Sequence, residues 1–114
     1  MEQLKVDIET FKFSPKEFRI IRNLDGVIYT HRFPVIKHNN ITSLEGEITI
    51  LGDTGEVLID IFNLNRTFYS PFYNNIYGDF APILSKIHER INQELNRLGI
   101  KQNDARTVRK TKKG

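Results

Sequence analysis

Residues 45–62 read EGEITILGDTGEVLIDIF, and the fold turns on how this stretch is read. From Glu45 to Ile50 the side chains alternate, the spacing of a strand with one face on a core. Gly52-Asp53-Thr54-Gly55 is turn chemistry, the strongest such signal in the chain. After it Glu56 to Phe62 is a nearly continuous apolar run, whose length and branched side chains predict a central strand covered on both faces. Two such runs around one short turn are expected to pair antiparallel.

Upstream, the β-favouring runs Phe18–Arg22 and Val27–Phe33 flank Asn23-Leu24-Asp25-Gly26. They predict a second hairpin, with Gly26 at a positive φ. Ser14-Pro15-Lys16-Glu17 can hold a single helical turn ahead of it, and His38-Asn39-Asn40 reads as a turn. Leu4, Val6 and Ile8 alternate with charged residues, so a strand is expected from Leu4 to Phe13, with a bulge or strand end near Thr10 where the aromatic register shifts.

Downstream, Asn63 to Gly78 shows no period and reads as a polar and aromatic loop. Phe80, Leu84, Ile87, Ile91, Leu95 and Leu98 then recur at three and four residues, forming one apolar stripe of a helix. Asp79 is its expected N-cap, Pro82 fits the first turn, Gly99 is a natural C′ residue, and Ile100 is the contact that folds back. The helix must bury its stripe, and the sheet is the only large partner. The expected fold class is therefore α+β: an antiparallel meander of four to five strands with one long C-terminal helix across one face. Residues 1–100 form the single domain, and 101–114 a disordered basic tail.

That tail carries the clearest functional signal. KQNDARTVRKTKKG holds Lys101, Arg106, Arg109, Lys110, Lys112 and Lys113 against Asp104 alone, five net positive charges. Residues 1–100 hold eleven basic and thirteen acidic side chains, two net negative. A segment with so few apolar residues cannot offset its ordering entropy by burial. A mobile cationic arm on a mildly acidic body suits a polyanion, nucleic acid first. The chain has no cysteine, which excludes disulfides and thiolate metal sites. No apolar stretch approaches the ~20 residues that span a bilayer. The opening MEQLKVDIETF lacks the pattern of a secretion signal. A cytoplasmic protein without a membrane partner is expected.

The body offers little for catalysis. His31, His38 and His88 fall on a strand, in a turn and on the helix, and nothing places them together. His88-Glu89 begins like a zinc-protease helix, but Asn92 stands where the second histidine is needed. Asp60 interrupts EVLIDIF. Its sequence context reads as a structural aspartate accepting from loop amides near Asn63 or Tyr69, with a catalytic or metal-binding acid as the competing use. No glycine-rich phosphate loop or nucleophile elbow is present. No catalytic residue, metal or cofactor is expected. The aromatic loop is the better candidate: Phe68, Tyr69, Phe72, Tyr73, Tyr77 and Phe80 crowd together beside Arg66. Such rings can stack unpaired bases, anchor a protein partner, or close the core under the helix. The expected binding residues are Arg66, Tyr69, Tyr73 and Tyr77 together with the six cations of the tail. The expected function is a small non-enzymatic protein that contacts nucleic acid. The alternative is a protein-interaction module, an adaptor or inhibitor, that uses the same loop, with the tail docking on an acidic protein.

Three patches resemble the ubiquitin-conjugating fold. Gly26-Val27-Ile28-Tyr29 with Phe33-Pro34 resembles its second strand and exit. Gly55 to Ile61 resembles the strand that bears the active-site cysteine, and Tyr69-Ser70-Pro71 the step before its main helix. The resemblance spans about residues 26–95. Leu58 stands at the cysteine position and no His-Pro-Asn is present, so the resemblance implies a non-catalytic adaptor, thioester chemistry needing a thiol.

Overall fold

The computed structural model describes residues 4–74 and 78–100. Tyr77 and residues 101–114, with the expected tail and its six cations, lie outside the described residues. The class is α+β. One antiparallel sheet has the order β1-β5-β4-β3-β2, built from β1 (Leu4–Lys5), β2 (Arg19–Asn23), β3 (Gly26–His38), β4 (Ile41–Leu51) and β5 (Glu56–Asn63). A short helix, α1 (Ser70–Tyr73), and a long one, α2 (Ala81–Arg97), follow.

The meander from β2 to β5 forms where turn chemistry separates β-favouring runs. Asn23 pairs with Gly26 at the β2–β3 turn, where Gly26 sits at φ +134°. Asn39 and Asn40, both left-handed, close β3 on β4, a conformation asparagine tolerates better than most residues. The β4–β5 pairing runs from Ile50 opposite Val57 to Leu44 opposite Asn63, as the opening stretch predicts. Alternation sends Leu44, Gly46, Ile48 and Ile50 of β4, His31 and Phe33 of β3, and Val57 and Ile61 of β5 to one face. Helix α2 lays Ile87, Ile91 and Leu95 on that face, and the three are buried with Phe33, Ile48 and Ile61. Gly46 is needed there for space: a Cβ on it would lie 2.5 Å from Phe33 Cζ.

The helix ends as its sequence requires. Gly99 adopts φ +83°. Its amide donates to Asn96 at 3.1 Å, and that of Ile100 to the Leu95 carbonyl at 2.9 Å. These are the two bonds of a Schellman motif, and they drive Ile100 into the core as the apolar contact beyond the cap.

Four expectations need correction. The strand from Leu4 shrinks to β1, because the Asp7 carbonyl accepts from both Thr10 and Phe11 and turns the chain. Phe13 leaves the sheet and stacks on Tyr29, while Phe11 and Phe13 pack edge-on against Phe18. Strand β5 is covered on its far face only at one end, where Phe62 lies under Phe68 and Arg66, while Leu58 is 43 % exposed. The expected N-cap, Asp79, caps nothing, since the helix starts after Phe80 with no side-chain cap. Phe80 itself falls outside the stripe and is exposed. Among the described residues no helix is long and apolar enough to cross a membrane.

Candidate functional site

The aromatic loop folds round the outer edge of β5. The amide of Tyr69 donates to the Ile61 carbonyl at 2.8 Å, and that of Asn63 to the Thr67 carbonyl at 2.8 Å. The loop thereby satisfies backbone groups that an edge strand would leave bare. Its rings divide between the two faces. Tyr69 and Phe72 pack against the core. Phe68 and Tyr73, 60 % and 48 % exposed, stand on the open side, where Phe68 stacks on Phe62 at 5.0 Å between centroids and meets Tyr73 edge-on.

Tyr73 is tethered at its hydroxyl, which donates to Asp60 Oδ1 at 2.7 Å and accepts from the Ile61 amide at 3.1 Å. Burial, then the bond to Asp60, pushes the phenol up to about 12. Asp60 is thus held by a phenol from the loop rather than by loop amides, which corrects the sequence reading. Arg66 lies over the Phe62 ring at 3.9 Å. It reaches Glu45 at 2.7 Å and Glu47 at 3.5 Å. Glu47 stands opposite Asp60 in the ladder, a like-charge pairing that is unfavourable by itself. Arg66 on one side and Arg32, at 3.2 Å, on the other offset it. Of the loop residues expected to bind, Arg66 and Tyr73 share one patch, Tyr69 turns to the core side, and Tyr77 is not described.

A second cluster was not legible as a unit in the sequence. His31 and Glu94 are buried, 6 % and 3 % exposed, between β3 and α2. The His31 Nδ1 faces the main-chain oxygen of Glu17 at 2.7 Å, and Nε2 faces a Glu94 carboxylate oxygen at 2.5 Å. Arg90 and Arg97 donate to the same carboxylate. Arg97 also forms a two-bond fork with Glu17, at 2.9 and 3.0 Å. Burial alone would raise the Glu94 carboxyl, but the bonds from Arg97, His31 and Arg90 bring it down to about 2. The bond from Arg97 likewise lowers Glu17. Both ring nitrogens of His31 are thus engaged, one by a carbonyl and one by a carboxylate. Neither is left for a substrate, and the cluster ties α2 to the sheet and to the Pro15–Phe18 turn. The available signal was Glu94 itself, seven residues after Ile87 on the buried stripe.

Among the described residues no three histidine, aspartate or glutamate side chains gather as a metal site would require. His88 packs against Phe72 at 5.5 Å and lies apart from His31. No family model, curated protein or solved structure matches the chain.

Proposed function

We propose that the chain is a small binding protein whose partner is nucleic acid. The observation that carries this reading is the division of charge: five net positive charges on residues 101–114 against two net negative on residues 1–100. Phosphates would meet the cations of 101–114, a sequence-independent attraction. Phe68 and Tyr73 would offer exposed rings to unpaired bases, worth ~1–3 kcal/mol per base. The test is binding to single- and double-stranded oligonucleotides at low and moderate salt, for the full chain and for a chain ending at residue 100. The reading expects binding to collapse on truncation and to fall with salt in the full chain. Weak binding that truncation leaves unchanged would contradict it.

A second reading rests on the open sheet face. Leu58, Phe68 and Tyr73 are exposed there beside Glu45, Glu47 and Asp60, and three acids against Arg32 and Arg66 do not favour phosphate. That mix of exposed rings and paired charge suits a protein partner. The resemblance to the ubiquitin-conjugating fold, with Leu58 at the cysteine position, belongs with this adaptor reading. It expects a partner retained by the chain ending at residue 100 and lost in Phe68→Ala.

A further inference from the structure

At the other end of the sheet from the aromatic loop, the turn before β2 and strands β2 and β3 enclose an open cleft of about 400 Å³. Its charged lining is Lys16, Arg19, Arg32 and Glu17, with Thr30 between them. Arg19 and Thr30 are direct cross-strand partners, and Arg32 lies two residues on, on the same face of β3. Lys16 and Arg19 form no ion pair among the described residues, and both are exposed. Arg32 meets Glu47 through Nε. The one acid in the cleft, Glu17, is engaged by the Arg97 fork. The cleft therefore presents two cations unpaired among the described residues, Lys16 and Arg19, and a hydroxyl, with Arg32 shared with Glu47 and its own carboxylate matched by a guanidinium from outside. Lysine, arginine and threonine are the side chains that hold phosphate oxygens.

Its position adds a second argument. The Arg97–Glu17 contact places the end of α2 beside Lys16. The chain continues from Ile100 into the segment with six cations. The acids Glu45 and Asp60 lie away from the cleft, toward β4 and β5, and Glu47 meets it only through Arg32. We infer that the cleft of Lys16, Arg19, Thr30 and Arg32 is the folded body's contact with the phosphate backbone of nucleic acid. The inference rests on the nucleic-acid reading above and assigns its body contact to this cleft rather than to Arg66.

The test uses the full chain, a labelled 20-base-pair duplex, and the variants Lys16→Gln and Arg19→Gln, whose exposed side chains leave the core untouched. Each should weaken binding at all sequences and lower the log–log salt slope by about one. Arg22→Gln, on the opposite face of β2, should leave the slope unchanged. A parent chain that binds with a slope unmoved by Lys16→Gln and Arg19→Gln overturns the cleft and leaves the nucleic-acid reading standing. A parent that binds no duplex or single strand overturns both. An equal loss in Arg22→Gln shows diffuse attraction and also overturns the cleft. Stronger competition by a phosphoserine peptide than by an oligonucleotide of equal charge overturns the assignment to nucleic acid.

Discussion

Glu94 is a point where three donor side chains converge. It is a carboxylate on the buried stripe of an amphipathic helix, tolerated because Arg97, Arg90 and His31 all donate to it. Its folded carboxyl titrates near 2, against an ordinary 4.5. Between those values the unfolded chain binds more protons than the folded one, so stability rises with pH through the window. The contribution is complete above about pH 4.5 and is lost as pH falls toward 2, with an integrated size of about 3 kcal/mol. Glu94→Gln should lose roughly that much at neutral pH, since it breaks a buried charged network. It should also flatten the acid limb of a pH series of denaturant melts. Glu17, Arg90, Arg97 and His31 face the same carboxylate, so a lesser slope from Glu17 remains. An unchanged acid limb would show that Glu94 is not the group that titrates. The pairing was hidden from the sequence because His31 and Glu94 stand 63 positions apart. Only the folded helix brings them together. Arg66 shows the converse: its place among aromatics was legible, but its engagement with Glu45 and Glu47 was not, because that depends on cross-strand register.

The elements were legible where local chemistry and periodicity agree. The meander follows three turn signals, and α2 follows its stripe down to the Gly99–Ile100 ending. What escaped were elements made by tertiary contact alone. Strand β1 is two residues long and exists by pairing with Val57 and Glu56. The apolar run of β5 suggested two covered faces, yet one of them stays open around Leu58. Hydrophobicity cannot tell a covered second face from a binding surface. Within β4, Gly46 interrupts the expected run of larger side chains, and the reason is Phe33 across the ladder. Gly46→Ala would press its methyl group into that ring and should destabilise the fold by about 1–3 kcal/mol, read as a fall in the denaturation midpoint. A neutral effect would mean that Phe33 can move aside and that the β3–β4 core is looser than described.

At the scale of the molecule, the sheet is asymmetric. One face is buried under α2, and the other carries acids near β5 and, near β2, the cations Lys16 and Arg19, which form no ion pair among the described residues. Its cationic end is joined to the last turn of α2 through the Arg97–Glu17 pair. This arrangement makes counterion release the most direct test of the proposed function, because the slope counts the phosphates neutralised. The decisive measurement is the log–log dependence of duplex affinity on salt for the full chain. Engagement of the six C-terminal cations gives a slope of roughly five, rising toward eight if Lys16, Arg19 and Arg32 join them. A slope of about one or less, or no measurable affinity at low salt, would contradict the claim that this charge is there to hold nucleic acid.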